Sequence, residues 1–393
     1  MTGPAATPST ELRPFAVAVP DDALADLTTR LALTRWPSDE TVDDWSQGVR
    51  SSHLRSLVER WANDYDWRRF ESELNRLPQF LTTIDGLDIH VIHVKSKNPG
   101  ALPLILTHGW PGSIIEFLQL VGPLTDPEAH GGDAADSFDV VIPSLPGFGF
   151  SGKPHEPGWS VARIASAWVE LMRRLGYERW TAQGGDWGGA VTTALAALRP
   201  DGLLGVHLNS QFAFPATTPT SLSDEERYAV DSLAVYTGDM GGANHLQATK
   251  PQTVGFALAD SPVGQAAWIY DKLQSKTDNQ GLAEDVVSTD TILDMISLYW
   301  FTNTAASSAR IYWENKSSSF TGPVLTLPVA VTVFPRDVPR LPRTWIEDTC
   351  TDLIHYGEAA RGGHFAALEQ PQIMTDEIRT GLRTLRPSFL GPR

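Results

Sequence analysis

The chain has 393 residues, of which 41% are hydrophobic, and a formal net charge of −16 at pH 7. Its length suggests two or three structural units with a sizeable core, and its negative charge argues against nucleic acid or an anionic membrane as a partner. The single cysteine, Cys350, excludes an intrachain disulfide framework and a cysteine-based metal site, and it fits a reducing compartment.

Targeting and membrane signals are not found in the sequence. The segment from Met1 to Glu11 has neither a basic nor an apolar signal region, and no run of about 18 apolar residues predicts a membrane-spanning helix. We therefore expect a cytoplasmic protein without a membrane anchor. A homodimer is one oligomeric state that it could adopt. Neither a metal nor a cofactor is implied.

The first 95 residues predict a helical segment that leads into a β-hairpin. Leucines at helical spacing follow Asp21-Asp22, which can cap a helix, and a second amphipathic helix begins near Ser51. Residues 80–84 and 89–94 alternate between apolar and polar positions on either side of Asp85-Gly86, which indicates two strands joined by a turn. These helices are expected to pack on the main domain rather than to bind a partner.

Apolar strands then alternate with helices. Strands are expected at 103–107, 139–143, 180–183 and 203–209, with helices at 161–175 and 190–197. This alternation predicts an α/β fold with a mostly parallel sheet flanked by helices. Strand character returns only at 329–334 and near 352–355, so the helical stretch between is expected to form a cap over the sheet. The expected units are 1–95 (helices and first strands), 96–211 (first part of the core), 212–320 (cap) and 321–393 (second part of the core).

The stretch Gly184-Gly185-Asp186-Trp187-Gly188-Gly189 lies between an expected strand and a helix. Small residues around one reactive side chain are typical of a sharp turn that exposes a nucleophile. Aspartate is already ionised near neutral pH, and its carboxylate suits attack on an sp3 carbon that carries a leaving group, such as an epoxide oxygen or a halide. A glycine-flanked aspartate is more often a turn or a helix cap, so partners are needed to support this function.

A second motif, Thr107-His108-Gly109-Trp110-Pro111-Gly112, follows an apolar strand. In an open α/β sheet this is where ligands bind, and the backbone N–H groups of such a turn can stabilise an oxyanion. We therefore expect His108, Gly109 and Trp110 to form an oxyanion or substrate-binding segment, with a matching N–H group from Trp187. An ordinary Gly-Pro turn is the alternative.

A histidine with a supporting carboxylate completes the candidate machinery. His364 lies in Gly362-Gly363-His364-Phe365, after the last expected strand. Nucleophile, acid and histidine would then follow one another along the chain in the order found in hydrolases whose nucleophile lies on a sharp strand-to-helix turn. Asp337, just past an expected strand, is the candidate acid, whereas Asp348 falls in an expected helix. Tyr312, near the end of the cap, can donate a proton to a leaving oxygen, although a packing role is the more frequent one for a tyrosine.

Together these motifs resemble the microsomal-type epoxide hydrolases of the α/β-hydrolase superfamily. The likeness extends from about Phe15 to Arg383 and includes a helical meander before the core. It rests on Tyr65-Asp66-Trp67-Arg68, His108-Gly109-Trp110-Pro111, Gly184 to Gly189, Asp260-Ser261-Pro262-Val263-Gly264 and Gly362-Gly363-His364-Phe365.

The resemblance implies that Asp186 is the nucleophile, His364 the base and Asp337 its supporting acid. Tyr312 matches one of two cap tyrosines that bind the epoxide oxygen, whereas Ala243 occupies the usual position of the other. The candidates to replace it are the nearby Asn244, His245 and Tyr236, or a tryptophan. The expected reaction is opening of an epoxide to a vicinal diol, with water as the second substrate. We expect a bulky or aromatic epoxide from specialised metabolism, because a benzylic or allylic epoxide carbon bears positive charge well and its epoxide can open with a single donor.

Two alternatives to an epoxide hydrolase stay open at this point. A haloalkane-type dehalogenase shares the aspartate nucleophile and often a tryptophan after it. A catalytically weak ligand-binding protein would explain the alanine at position 243.

Overall fold

The computed structural model describes residues 11–210, 213–215, 220–316 and 321–386. Its centre is a sheet of nine strands in the order β1-β2-β3-β5-β4-β6-β7-β8-β9. The first four strands in this order pair antiparallel, and the rest are parallel. The strands are β1 Arg13–Pro14, β2 Gln79–Ile84, β3 Leu87–Val94, β4 Leu102–Thr107, β5 Phe138–Pro143, β6 Trp180–Gly184, β7 Leu203–Leu208, β8 Val329–Val333 and β9 Leu353–Glu358.

The central strands are buried on both faces because helices cover the sheet on both sides. All six residues of β4 are buried, which explains why this strand is an unbroken apolar run rather than an alternating one. The helices before the cap region are α1 Asp21–Ala32, α2 Ser51–Asn63, α3 Trp67–Leu74, α4 Leu118–Thr125, α5 Val161–Arg174 and α6 Asp186–Leu198. The helices after it are α13 Arg343–Thr349, α14 Ala366–Glu369 and α15 Pro371–Leu382.

In the described residues between β7 and β8, where the sequence predicts the cap, six helices follow one another. They are α7 Asp224–Thr237, α8 Gly242–Thr249, α9 Pro251–Asp260, α10 Pro262–Lys276, α11 Thr289–Thr302 and α12 Ala305–Glu314. The N-terminal helices contact this group. The Trp61 indole donates a hydrogen bond to Ser297 (2.9 Å), and the Tyr65 hydroxyl donates to Asp294 (2.7 Å). These contacts attach α2 and the loop after it to α11.

The expected α/β architecture is confirmed, with three differences in detail. The helix that follows the sharp turn at Gly184-Gly185 begins at Asp186 itself rather than at Ala190. The short strand β1, which pairs with β2, lies in a segment expected to be helical. The last strand extends to Glu358, beyond the expected end at 355. With only two residues, β1 is too short to show the alternation of apolar and polar residues from which a strand is predicted.

Some expectations fall outside the described residues. These include most of the Met1–Glu11 segment and the expected cap boundaries at 212 and 320. Within the described parts of the chain, no helix is both long and apolar enough to cross a membrane. Among those same residues, no cluster of three or more histidine, cysteine, aspartate or glutamate side chains is arranged to hold a metal ion.

Candidate active site

Asp186 lies at the tip of the turn between β6 and α6, at the carboxyl edge of the parallel strands. Its φ of 50° is in the left-handed region, which is unfavourable for a residue with a side chain and is often found at functional sites. Gly188 allows the turn to approach the sheet, because a Cβ at that position would overlap the Thr107 carbonyl oxygen of β4. The glycines therefore permit a backbone that presents the Asp186 carboxylate above the sheet.

The loop after β4 closes over the same carboxylate. The Trp110 backbone N–H donates a hydrogen bond of 2.8 Å to Asp186 Oδ1. A Cβ at Gly109 would overlap Asp186 Oδ1, so a glycine is required for this close approach. Because the N–H group of Trp110 already binds one oxygen of Asp186, it is placed to stabilise negative charge that develops on that oxygen.

The His108 side chain holds the loop and does not contact Asp186. Its Nε2 accepts a hydrogen bond from the Leu145 N–H (3.1 Å), so Nδ1 carries the proton and donates to the Gly109 carbonyl oxygen (3.0 Å). Burial lowers the pKa of His108 to about 4, which keeps the ring neutral. Within the expected oxyanion segment, the His108 side chain thus stabilises the loop, and the Trp110 N–H group contacts Asp186.

His364 lies between two carboxylates. Its Nε2 is 3.1 Å from Asp186 Oδ2, and its Nδ1 is 2.7 Å from Asp337 Oδ1. Asp337 also accepts hydrogen bonds from the Ser210 hydroxyl (3.2 Å) and the Val338 N–H (2.9 Å). These contacts fix the orientation of Asp337, and Asp337 in turn fixes the His364 ring. The three side chains that the sequence singled out on three separate segments are therefore brought together.

The loop that carries His364 is ordered by a buried glutamate. Glu369 accepts hydrogen bonds from the N–H groups of Asp278, Gly363 and Phe365 at distances of 2.6 to 3.0 Å. The His364 N–H donates to the Lys276 carbonyl oxygen at 2.9 Å. These bonds connect the histidine loop to the end of α10, so the cap and the core jointly position the base.

The charges of the site favour an ion pair at rest. Burial opposes ionisation of Asp186, but the hydrogen bond and charge of His364, together with Lys276, lower the pKa of Asp186 to about 2. Burial and Lys276 lower the pKa of His364, but the charge of Asp337 and the hydrogen bonds to both carboxylates outweigh them and raise it to about 9. At neutral pH, Asp186 is therefore a carboxylate and His364 an imidazolium.

A cavity of about 990 Å³ opens between Asp186 and the cap. Tyr312 lies over the nucleophile, with its ring edge-to-face against the indoles of Trp187 (4.9 Å between centroids) and Trp110 (5.7 Å). The Tyr312 hydroxyl oxygen is buried and has no hydrogen-bond partner among the described residues. Burial and the charge of Asp186 raise the pKa of Tyr312, so the phenol keeps its proton and can donate it to a bound oxygen atom.

Tyr236, near the end of α7, lines the same cavity as Tyr312. Burial and the charge of Asp186 raise its pKa, while a hydrogen bond with Asn244 lowers it. Ala243 is buried and is not part of the cavity wall. Of the side chains considered for the missing donor, Tyr236, Asn244, His245 and Trp187 all line the cavity, and Tyr236 is the one that carries a hydroxyl group.

Sequence reasoning missed two groups beside Asp186. Lys276, only 3% exposed, lies with its ammonium 4.8 Å from the centroid of the Tyr236 ring. Glu116, in the short 3-10 helix Ile114–Phe117, is close enough for the Asp186 charge to affect its pKa. Both have ordinary explanations in the sequence, since a lysine at the end of a helix and a glutamate at the start of one stabilise the helix dipole.

Comparisons with known proteins identify the family of the chain. Residues 12–117 match the family model for the epoxide hydrolase N terminus, and residues 103–264 match that for the α/β hydrolase fold. Epoxide hydrolase 1 of Sus scrofa is 35% identical over 96% of this chain and 89% of its own length. The chain belongs to the epoxide hydrolase family. A Stigmatella aurantiaca (strain DW4/3-1) protein, provisionally named an epoxide hydrolase, is 58% identical over 95% of this chain and 86% of its own length.

Solved structures of the family extend the likeness to the whole described chain. The Aspergillus niger epoxide hydrolase superposes with a TM-score of 0.85 at 32% identity, covering 96% of this chain and 97% of that one. The juvenile hormone epoxide hydrolase of the silkworm Bombyx mori gives 0.84 at 30% identity, covering 96% and 95%. The chain is thus an epoxide hydrolase rather than a dehalogenase or a non-catalytic binding protein.

Proposed function

We propose that this epoxide hydrolase works through a covalent ester on Asp186. In the first step, Asp186 Oδ2 attacks an epoxide carbon and the bond from that carbon to the ring oxygen breaks. Oδ2 is the nucleophilic atom because Oδ1 accepts the Trp110 N–H bond and then becomes the ester carbonyl oxygen. The ring oxygen leaves as an alkoxide and takes a proton, so a hydroxyalkyl ester of Asp186 is formed.

The alkoxide receives its proton from the cap. Tyr312 supports this role through its buried hydroxyl, which lies in the cavity beside Asp186 and has no other partner within the described chain. We infer that Tyr236 is the second donor, because it lines the same cavity and keeps its proton for the same reasons of burial and charge. His364, an imidazolium at rest, restores the proton that the tyrosine loses.

In the second step, His364 acts as a base. Its pKa is raised in the free enzyme partly by the hydrogen bond to the Asp186 carboxylate, and that charge disappears when the ester forms. The pKa of His364 therefore falls in the ester, so neutral imidazole becomes available to take a proton from water. Asp337 retains its contact with Nδ1 and stabilises the imidazolium that is formed again.

The cavity supports a bulky or aromatic epoxide as substrate. Its volume of about 990 Å³ is large for a simple epoxide, and its walls near the reacting centre are the aromatic rings of Trp187, Tyr236 and Tyr312. Binding energy for such a substrate would come mainly from apolar and aromatic burial. This size and character would suit a substrate from specialised metabolism.

The observation that carries the proposal is the Asp186–His364–Asp337 arrangement, in which the histidine is hydrogen-bonded to both carboxylates. It is tested by a single turnover with excess enzyme in ¹⁸O-labelled water. We expect the label in the Asp186 carboxylate, detected by mass spectrometry of its peptide, and unlabelled oxygen in the first diol. Label in the first diol, or full activity in Asp186→Ala, would disprove the ester mechanism.

A further inference from the structure

A second, very small cavity lies on another side of Asp186, away from the substrate space. Its volume is about 10 Å³, which is close to the lower limit for a single water molecule. Asp186 and His364 line both this space and the large cavity beneath the cap. The remaining walls that matter here are Gly109, Trp110, Gly185 and Glu116. A water molecule in this space would be next to the Asp186 carboxyl group and to its base, without passing the substrate.

Two polar side chains of this wall, those of Glu116 and Asn209, are not used by the two-step reaction. The side-chain oxygen of Asn209 already accepts a hydrogen bond from Gln183 (2.7 Å), so Glu116 is the stronger candidate to bind a water molecule there. Its carboxyl group folds back onto the loop after β4, and a Cβ at Gly112 would overlap Glu116 Oε1. Burial, with the nearby Asp186 charge, raises the pKa of Glu116 to about 8, although N–H groups of Gly109 and Ser113 lower it. At neutral pH, Glu116 is therefore a neutral acid, with one carbonyl oxygen that accepts and one O–H group that donates.

We propose that Glu116 positions the water that hydrolyses the Asp186 ester, which rests on the ester mechanism proposed above. One O–H group of the water donates to the Glu116 carbonyl oxygen, and the other donates to His364 Nε2. With both protons held, a lone pair of the water oxygen points to Asp186 Cγ. Glu116 is thus a positioning residue, and His364 remains the base.

The atoms of this step balance without any further reactant. The bond from the water oxygen to Asp186 Cγ forms as His364 takes the water proton, and the Trp110 N–H stabilises the resulting oxyanion on Oδ1. The bond from Cγ to the alkyl oxygen then breaks, and His364 returns its proton to that oxygen, which releases the diol. Asp186, now a carboxylic acid, gives its proton to His364, so the resting ion pair is restored and Glu116 keeps its own proton throughout.

The two cavities explain why such a residue would be needed. The leaving diol occupies the large cavity, so the attacking water must reach Cγ from a direction that the substrate does not fill. The small space offers that direction, and its size leaves little freedom for the water to rotate. Holding a reactant in a near-attack geometry can contribute several kcal/mol to catalysis.

The test separates the two chemical steps by rapid quench and mass spectrometry of the Asp186 peptide. In Glu116→Met, which keeps the side-chain size but has no hydrogen-bonding group, we expect ester formation within about twofold of the wild type and ester hydrolysis slower by on the order of 10²-fold. In Glu116→Gln, whose amide matches a neutral carboxylic acid in shape and in its acceptor, we expect hydrolysis to stay within about threefold of the wild type. Equal loss in both steps, or normal hydrolysis in Glu116→Met, would overturn the proposal.

A matched control and a second measurement make the result decisive. Glu284→Gln changes another glutamate, which is bonded to His53 (3.1 Å) and Tyr270 (2.6 Å) and lines neither cavity, so both steps should stay close to the wild-type rates. If Glu116→Met does not fold, the pH dependence decides. In the ester Asp186 carries no charge, so the pKa of Glu116 lies below its value of about 8 in the free enzyme. The pH profile of wild-type ester hydrolysis should therefore include an ionisation of Glu116 beside His364 and Tyr299 below pH 8, which Glu116→Gln should lack. The same pH profile for both proteins would contradict the assignment.

The outcomes also separate this proposal from the ester mechanism. If the wild type places no ¹⁸O in Asp186, the ester mechanism itself fails. If the label enters Asp186 and Glu116→Met hydrolyses its ester normally, only the role of Glu116 fails.

Discussion

The core and the cap contribute different kinds of groups to the site. The core provides charged side chains that already have partners, since Asp186 is bonded to Trp110 N–H and His364, and His364 to Asp337. The cap provides phenols that keep their protons, of which Tyr312 has an unpaired buried hydroxyl. The core thus holds the nucleophile and the base in fixed positions. The cap holds phenol protons that can be donated to the epoxide oxygen when the substrate binds. Loss of the core base His364 should therefore have a larger effect on turnover than loss of a cap phenol.

The largest effect is expected from His364→Gln. Without the base, ester hydrolysis should stop while Asp186 can still attack, so turnover should fall by on the order of 10³-fold or more. The Asp186 ester should accumulate to about one per active site, measured by intact-protein mass. His355→Gln is the matched control, because it removes a histidine that is paired with Glu377 at 2.8 Å outside the cavity. Loss of activity without ester in His364→Gln would contradict the division of roles.

A smaller effect is expected from the cap phenols. Tyr312→Phe and Tyr236→Phe each remove one donor to the ring oxygen, and each should slow ester formation by on the order of 10² to 10³-fold. Ester hydrolysis should be nearly unchanged, because the ring oxygen is already a hydroxyl by then. Epoxides that open at a benzylic carbon should lose less than aliphatic ones. The rates of the two steps in a single turnover measure this difference.

The control for the phenols is Tyr177→Phe, which removes a hydroxyl bonded to Asp139 at 2.8 Å and lies outside the cavity. If Tyr236→Phe behaves like this control while Tyr312→Phe is slow, the cap provides one donor only. The double variant Tyr312→Phe/Tyr236→Phe then measures the coupling between the two phenols. The effects of the two substitutions on ester formation need not be additive, because both phenols bind the same substrate oxygen.

The same comparison explains what could be predicted from the sequence. Asp186, His364 and Asp337 stand in loops next to glycines or strand ends, and their order along the chain is informative, so their proximity could be expected. Tyr236 could be named only as one option, because a helix pattern does not fix which face of a cap helix turns to the core. His108 was named from its motif alone, and a sequence motif does not tell whether a side chain or its backbone faces the ligand, so its expected part in the oxyanion segment stays a prediction.

Glu116 and Lys276 were missed for a related reason. Acidic residues at helix starts and basic residues at helix ends are so common that they give no signal of a site. Their importance depends on burial, which arises only when segments far apart in the chain meet. Lys276 ends α10, and burial lowers its pKa, an effect that the nearby charges of Asp186 and Asp337 only partly offset.

The smallest expected effect concerns stability. It compares Glu116, an acid of the core, with the neutral glutamine of Glu116→Gln. The pKa of Glu116 is raised in the folded protein from 4.5 to about 8, so the folded state binds the proton more tightly than the unfolded state. Its contribution to stability is complete below pH 4.5 and is lost as the pH rises to about 8. Glu116→Gln cannot ionise and should therefore gain stability relative to the wild type across this interval, by a few kcal/mol at most. Urea unfolding at pH 4 and at intervals up to pH 9 measures the difference. A difference independent of pH would mean that folding does not raise the pKa of Glu116.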